Sequence, residues 1–205
     1  IAYAIKEESD NPLIYCSVGD GTSQQGEVLE AIAEAKRSNL PVLFFIHNNN
    51  LAISTRTEGK TFFSRPNGFV DSFYDIPITY INGSNALAEI AKAQAVIKQI
   101  RTNRAPQIIV FNVDRLDNHS NADDQRLYRD DAELELSQDQ DPLNLAQKYL
   151  LENGFSLEEI ETAKKQAIKQ VRDSIEIARA GTNPVSEFGA ELALIDAVKN
   201  PRNDY

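Results

Sequence analysis

The feature that most constrains the fold of this chain is an alternation of apolar and amphipathic segments between residues 13 and 55. Residues 13–18 and 42–46 are short runs rich in β-branched and aromatic side chains without strict alternation, which is typical of parallel strands covered on both faces. Between them, apolar residues recur at helical spacing, and Asn39 and Pro41 predict where this helix ends. The segment therefore predicts a strand–helix–strand unit. The apolar stripe of its helix consists of Val28, Leu29, Ile32 and Ala35.

The same alternation continues along the chain. Residues 78–81 and 107–111 predict a third and a fourth strand, and the apolar spacing between residues 87 and 100 predicts a second helix. Residues 56–73 have no clear period, so we expect a long loop there, with a short helix near residues 69–74. The predicted fold class is α/β, a mostly parallel sheet with helices on both faces.

Beyond residue 140 the pattern becomes purely helical. Apolar spacing predicts one helix that ends near Asn153, and a capping box formed by Ser156 and Glu159 predicts the start of another, which Gly181 closes. The sequence therefore predicts three parts, which are an α/β domain at residues 1–140, a C-terminal helical segment at 141–181 and a linker-like stretch at 182–205.

The acidic balance of the chain limits its ligands. A formal net charge of −10 argues against a nucleic-acid or anionic-membrane surface, and no apolar run approaches membrane-spanning length. A phosphate-bearing ligand would therefore need local positive charge, from a metal ion or an arginine. The single cysteine, Cys16, excludes an internal disulfide, and its mid-strand position favours a small buried side chain rather than a nucleophile. These properties favour a reducing compartment, either the cytoplasm or, in a eukaryote, the mitochondrial matrix.

Polar residues follow the first two strands at what should be one edge of the sheet. Gly19-Asp20-Gly21 follows the first strand, and Asn48-Asn49-Asn50 follows the second. In a right-handed strand–helix–strand unit the carboxyl ends of both strands lie at the same edge. Carboxylate and amide oxygens beside a helix start suit a magnesium ion that carries phosphate groups. Each cluster alone is typical of a turn, but their pairing across one unit indicates a metal and anion site.

A third polar segment, residues 114–129, follows the fourth strand at the same predicted edge. It holds Arg115, His119 and Arg129, which are the first cations along the chain placed to meet a phosphate there. A lone surface histidine is more often incidental than catalytic, although loop residues carry function more often than core residues do. We therefore treat His119 as a candidate whose role depends on what else lies at this edge.

The pattern of these polar residues also resembles that of a known family. Asp20 and Asn49 are 29 positions apart (49 − 20), and Gly19-Asp20-Gly21 followed at this distance by a double asparagine resembles the thiamine diphosphate motif. The resemblance runs through residues 15–55 and returns at residues 118–124 and at Tyr128-Arg129. It is a resemblance to alpha subunits of the decarboxylating component of 2-oxo acid dehydrogenase complexes. Residues 49–55 are more similar to the branched-chain (2-oxoisovalerate) type than to the pyruvate type.

The resemblance implies a thiamine diphosphate and Mg²⁺ site. In the family, residues matching the side chains of Asp20 and Asn49 and the carbonyl of Leu51 bind the metal. The residue matching His119 contacts the diphosphate and assists acyl transfer. This sequence departs from its relatives at Asp117-Asn118, and Ser120 aligns with a serine that is phosphorylated in mitochondrial relatives. The implied cofactor-binding residues are Gly19, Asp20, Gly21, Thr22, Asn49, Leu51, Ile53, Arg115 and His119.

The resemblance also implies polypeptide beyond this chain. Family members carry a preceding segment with the remaining diphosphate contacts and much of the substrate pocket, and residues 1–6 look like the end of a helix, so we expect an N-terminally truncated α/β domain. The proton-relaying glutamate of the family comes from a beta subunit or beta half. Residues 191–198 resemble the opening of that half, so we expect a natural fusion of the alpha and beta halves.

The implied function is oxidative decarboxylation of a branched-chain 2-oxo acid, with acyl transfer to a lipoyl carrier. The expected partners are a beta subunit or beta half and the lipoyl acyltransferase component, in a homo- or hetero-oligomer, and this chain alone is expected to be inactive. Two alternatives stay open at this point. One is a pyruvate or acetoin dehydrogenase alpha-like subunit, and the other is a non-catalytic module that supports assembly.

Overall fold

Strands and helices alternate along the chain in a computed structural model that describes residues 1–181. The residues form two compact units, one covering Ile1–Asn153 and one that begins at Gly154. The strands are β1 (Ile14–Gly19), β2 (Val42–Asn48), β3 (Leu51–Ala52), β4 (Thr55–Arg56), β5 (Ser64–Arg65), β6 (Gly68–Phe69), β7 (Ser72–Phe73), β8 (Ile76–Asn82) and β9 (Gln107–Asn112). The helices are α1 (Gly26–Arg37), α2 (Ala86–Asn103), α3 (Asp131–Asp139), α4 (Pro142–Glu152) and α5 (Leu157–Ala180), and 3-10 turns lie at Thr22–Gln24, Gly83–Asn85 and Gln125–Leu127.

Five strands form one sheet in the order β1-β2-β9-β8-β7. The first four are mutually parallel, and only the short β7 runs antiparallel to its neighbour β8. The register pairs Gly19 with His47 and Asn48 with Asn112, so the carboxyl ends of β1, β2 and β9 lie side by side. This confirms the predicted mostly parallel α/β sheet and brings the three polar segments to one edge.

Helices cover both faces of this sheet. Alternate residues of a strand point to opposite faces, so each face carries apolar side chains that a helix can bury. On one face, Ile32 and Ala35 of α1 pack in a buried cluster with Phe44 and Val110. On the other face, Ile100 of α2 packs in a second cluster, which includes Leu43, Ile81, Val96 and Ile109. The prediction of helices on both faces is thereby confirmed.

The segment between β4 and β8 differs from its prediction. The short helix expected near residues 69–74 is wrong, because this stretch forms β6 and β7 instead. Tyr74 and Asp75 both have positive φ, at 48° and 56°, which is the backbone of a tight hairpin turn and is incompatible with a right-handed helix. Phe62 and Phe63 anchor the segment in the core cluster under α1. The expected loop is therefore a set of short hairpins held by buried aromatic rings.

The N-terminal residues form turns rather than the end of a helix. Their hydrogen bonds include those from the N–H groups of Ala4 and Ile5 to the carbonyl of Ile1. The guanidinium of Arg104, at the end of α2, donates to the carbonyls of Ile5, Lys6 and Pro12. This side chain therefore ties the first twelve residues to the end of α2.

The C-terminal helices form largely where the sequence predicts them. α4 ends at Glu152 and contacts the 3-10 turn Gly83–Asn85, so it belongs to the sheet unit. α5 begins with the predicted capping box of Ser156 and Glu159 and ends before Gly181. Across residues 1–181, no helix is both long and apolar enough to cross a membrane. The stretch at 182–205, interpreted as a linker and the start of a beta-like half, lies outside the described residues.

Candidate functional site at the carboxyl edge of the sheet

A cavity of about 450 Å³ opens at the carboxyl ends of β1 and β2. Of the nine residues that the family resemblance implies, eight line it, and Arg115 does not. The cavity therefore brings together segments that are up to a hundred positions apart in the chain. Its lining residues are Gly19, Asp20, Gly21, Thr22, Gln25, His47, Asn49, Leu51, Ala52, Ile53 and His119.

Asp20 is a buried carboxylate, with only 4% of its surface exposed. Its Oδ1 accepts a hydrogen bond from the Gly21 N–H at 2.9 Å, and its Oδ2 accepts one from the Thr57 hydroxyl at 2.6 Å. The Asp20 N–H donates to the His47 carbonyl at 3.0 Å, which fixes the turn to the end of β2. None of the ion pairs formed within residues 1–181 involves Asp20. A buried charge without a cation is costly, so the site is suited to a bound metal ion.

Gly21 allows the turn that carries Asp20 and the hairpin that carries Leu51 to approach each other. Its backbone is right-handed helical, at φ −63° and ψ −45°, so no unusual backbone conformation requires a glycine there. The requirement is spatial, because a Cβ at Gly21 would lie 2.7 Å from the Cβ of Ala52. The turn after β1 and the hairpin after β2 are therefore in direct contact at the floor of the cavity.

The three asparagines after β2 have different roles. Asn48 is buried, and its side chain donates to the Asn112 side chain at 2.9 Å and accepts from the Asn50 N–H at 3.2 Å. Asn50 has a left-handed backbone, at φ 58°, which turns the chain into β3. Asn49 lines the cavity, and its Oδ1 accepts from the Leu51 N–H at 3.0 Å. Asn49 is thus the member of the triplet whose amide oxygen is available at the cavity.

Asp20, Asn49 and Leu51 together offer a carboxylate, an amide oxygen and a main-chain carbonyl at one cavity. These are the hard oxygen ligands that Mg²⁺ prefers, and Mg²⁺ usually takes few protein ligands and completes its shell with water or phosphate oxygens. The donor set fits the implied metal in its chemistry.

Ile53 lies at the turn of the β3–β4 hairpin with a strained backbone. Its φ is 58°, which a β-branched residue rarely adopts, and its side chain is 56% exposed at the cavity. The Ile53 carbonyl accepts a hydrogen bond from Nη1 of Arg115 at 2.6 Å. Arg115 also donates to the Tyr128 hydroxyl at 2.6 Å, and its guanidinium carbon lies 5.5 Å from the centre of that ring. In this structure Arg115 therefore holds the rim of the cavity rather than lining it.

His119 reaches the cavity from the loop after β9. Its N–H donates to Oδ2 of Asp123 at 2.8 Å, and the Tyr128 hydroxyl donates to the same oxygen at 2.6 Å. These bonds lower the pKa of Asp123, with the Tyr128 hydroxyl as the largest cause. At Asp117-Asn118, where the sequence departs from its relatives, the Asn118 side chain accepts from the Gln125 N–H at 3.0 Å and closes the loop.

A buried arginine, Arg129, connects this loop to helix α3. Arg129 is 5% exposed, donates to the Arg115 carbonyl at 2.6 Å and forms an ion pair with Glu133 at 2.8 Å. Glu133 also accepts two hydrogen bonds from Arg56 of β4. The hydrogen bonds from Arg56, followed by the one from Arg129, lower the pKa of Glu133 to about 2. Glu133 thereby connects the hairpin that carries Ile53 to the segment that carries His119.

Sequence reasoning missed His47, Gln25, Ala52 and Thr57. His47 is the first of the two histidines in the chain, and both line the cavity. The signal for His47 was available, because it follows the apolar part of β2 and stands opposite Gly19 in the register. Thr57 gave no such signal, since its contact with Asp20 joins residues 37 positions apart.

The fold and the cavity define the class of protein, which is an α/β protein with an oxygen-rich candidate ligand site at the carboxyl edge of a parallel sheet. The family described as "Dehydrogenase E1 component" matches residues 1–186, and the chain belongs to this family. The resemblance to alpha subunits of 2-oxo acid dehydrogenases is thereby confirmed at the level of the family.

Several curated proteins are similar to the chain. The mitochondrial 2-oxoisovalerate dehydrogenase subunit alpha of Mus musculus is 29% identical over 189 residues, which cover 89% of this chain and 42% of that protein. The pyruvate dehydrogenase E1 component subunit alpha of Rickettsia bellii is also 29% identical, over 174 residues that cover 83% of this chain and 53% of that protein. The corresponding pyruvate dehydrogenase subunit of Rhizobium meliloti is 26% identical over 199 residues, which cover 95% of this chain and 56% of that protein. The chain thus spans about half the length of the curated relatives it matches.

Proposed function

We propose that this chain forms the alpha part of a thiamine diphosphate-dependent 2-oxo acid dehydrogenase and supplies one half of its cofactor site. The reaction is oxidative decarboxylation of a 2-oxo acid with transfer of the acyl group to a lipoyl carrier. The observation that carries this proposal is that Asp20, Asn49, Leu51 and His119 line one cavity at the sheet edge.

In this proposal Asp20, Asn49 and the Leu51 carbonyl hold Mg²⁺, and the metal in turn holds the diphosphate. The metal compensates the buried carboxylate of Asp20, for which residues 1–181 provide no ion-pair partner. It also supplies positive charge in a chain whose net charge is −10. Without it, an acidic protein would repel a polyanion.

Other groups contact or flank the diphosphate. Thr22 opens a 3-10 turn, where the first N–H groups have no partner within the turn and favour an anion. His119 and His47 both line the cavity, and the His47 ring packs 5.0 Å from the ring of Phe45.

Thiamine diphosphate, when bound, supplies the carbanion and the electron sink that decarboxylation requires. The residues of this chain bind the diphosphate, orient it and limit the access of water. His119 is exposed at the cavity on a loop anchored by Asp123, so its imidazole can give or take a proton during acyl transfer.

The substrate and partners follow from the resemblance. Residues 49–55 support a branched-chain 2-oxo acid, and a pyruvate or acetoin enzyme is the alternative, because relatives of both the 2-oxoisovalerate and the pyruvate type are 29% identical. The partners proposed are a beta subunit or beta half, which supplies the proton-relaying glutamate, and the lipoyl acyltransferase component. The compartment proposed is the cytoplasm, or the mitochondrial matrix in a eukaryote.

Calorimetry on the full-length protein with thiamine diphosphate and Mg²⁺ tests the cofactor site. We expect Asp20→Ala to abolish binding, because it removes the buried metal ligand. The matched control is Asp71→Ala, which removes an exposed carboxylate away from the cavity. Unchanged binding in Asp20→Ala would exclude this site. Turnover of 2-oxoisovalerate, pyruvate and acetoin by the assembled enzyme then decides the substrate class, and a preference for pyruvate would reject the branched-chain assignment.

A further inference from the structure

Thr57 is a buried residue that touches the proposed metal ligand without lining the cavity. It is 7% exposed, and its hydroxyl donates to Oδ2 of Asp20 at 2.6 Å. We propose that Thr57 is a positioning residue, which orients the Asp20 carboxylate for a divalent cation and thereby sets the metal affinity of the site. This inference rests on the proposed function, because it needs a metal at Asp20.

The main chain of Thr57 is fastened to the other ligand-bearing segment. Its N–H donates to the Asn50 carbonyl at 3.1 Å, directly between the proposed ligands Asn49 and Leu51. Its carbonyl accepts from the Lys60 N–H at 3.0 Å, which closes a turn after β4. One residue is therefore bonded through its side chain to Asp20 and through its backbone to the asparagine loop. Thr57 therefore links the position of the Asp20 carboxylate to that of the asparagine loop.

The hydrogen bonds to Asp20 leave the carboxylate free for a cation. Each carboxylate oxygen has two lone pairs, and Oδ1 uses one for the Gly21 N–H while Oδ2 uses one for Thr57. With one donor on each oxygen, rotation of the carboxylate would break a hydrogen bond. One lone pair on each oxygen is left for other partners.

A neutral donor is the suitable partner at this position. A lysine or arginine beside Asp20 would neutralise its charge and compete with the metal, whereas a hydroxyl offsets part of the burial cost and leaves the negative charge in place. When a group that hydrogen-bonds to a metal ligand, without contacting the metal itself, is removed, metal affinity typically changes by about 10–100-fold. We therefore expect loss of the Thr57 hydroxyl to lower the metal affinity of the site by about tenfold or more.

The test measures metal affinity rather than turnover, on the full-length protein. Thr57→Val keeps the shape of the side chain and removes the donor, and Thr57→Ser keeps the donor. The matched control is Thr55→Val, which makes the same chemical change at an exposed threonine of the same hairpin. Calorimetry gives the Mg²⁺ concentration for half-maximal thiamine diphosphate binding, and the electron paramagnetic resonance signal of free Mn²⁺ gives the metal affinity directly. Thermal unfolding without metal reports whether each variant is folded.

The expected result is a rise of about tenfold or more in the half-saturating Mg²⁺ and Mn²⁺ concentrations for Thr57→Val, with Thr57→Ser within about threefold of the wild type. If Thr57→Val does not fold, Thr57→Ala carries the same expectation. A Thr57→Val protein that binds metal as Thr55→Val does, or a Thr57→Ser protein that binds as weakly as Thr57→Val, overturns the inference. A wild type that binds neither metal nor thiamine diphosphate refutes the proposed function instead, as does an Asp20→Ala protein that binds as tightly as the wild type.

Discussion

The contact between Gly21 and Ala52 predicts how sensitive the cavity is to one methyl group. In Gly21→Ala, the new Cβ would lie 2.7 Å from the Cβ of Ala52, whereas ordinary contact begins at 3.4 Å. Neither atom can rotate away, because both are attached directly to the backbone. The turn that carries Asp20 and the hairpin that carries Leu51 must therefore move apart by about 0.7 Å (3.4 − 2.7).

A displacement of this size is small for the fold and large for a metal site. Overpacking of this kind costs about 1–3 kcal/mol in free energy of unfolding, which leaves a stable domain folded. Metal–ligand distances, however, must stay within about 0.2 Å of their proper values. We therefore expect Gly21→Ala to weaken Mg²⁺-dependent thiamine diphosphate binding by roughly tenfold to a hundredfold, the range typical when the support of a metal ligand is disturbed.

Calorimetric titration of the full-length protein with thiamine diphosphate at fixed Mg²⁺ measures this effect. Gly26→Ala is the matched control, because a Cβ at Gly26 would meet nothing within 4 Å. The double variant Gly21→Ala, Ala52→Gly removes the opposing Cβ and should recover most of the lost affinity. Binding at the wild-type level in Gly21→Ala, or a double variant as weak as the single one, would refute the reasoning that steric separation of the two segments controls the site.

Two further predictions concern stability. Because the pKa of Glu133 is lowered from 4.5 to about 2, its stabilising contribution is present above pH 4.5 and is lost as the pH falls through about 2. Urea unfolding should therefore show Glu133→Gln less stable than the wild type at pH 7, with the difference vanishing between pH 4.5 and 2; a constant difference would contradict this. Arg104→Ala should lower the free energy of unfolding by about 2 kcal/mol, because charged hydrogen bonds to three carbonyls are lost, whereas the exposed Arg101→Ala should have little effect.

The elements that sequence could predict are those determined by local pattern. The four parallel strands and helices α1, α2, α4 and α5 follow from apolar periodicity and capping residues, whereas α3 was not predicted. The carboxyl-edge site follows from the fixed handedness of a strand–helix–strand unit. His119 is a candidate from its polar loop at the predicted sheet edge, and the family resemblance adds its role, whereas Ile53 is indicated by the resemblance alone. The structure places both at the cavity.

The elements that sequence could not predict depend on distant contacts. The hairpin turn at Tyr74-Asp75 uses left-handed backbone at two residues that carry no glycine signal. The hydroxyl of Thr57 meets Asp20 only because β4 folds back against the turn after β1. Arg115 was expected to contact the phosphate region, but its observed bonds to Ile53 and Tyr128 could not be read from a polar loop.

The position of β9 has a consequence for the order in which the site is assembled during folding. β9 is the last strand of the sheet to leave a ribosome, yet it lies between β2 and β8, and its pairing with β2 joins residues 64 positions apart, such as Asn48 and Asn112. Such long-range pairing is slow, because a large loop must close first. We expect the oxygen ligands, which depend on the local unit of β1 and β2, to be placed before His119, which follows β9. A nascent chain would then acquire the proposed metal ligands before His119, the residue proposed to assist acyl transfer.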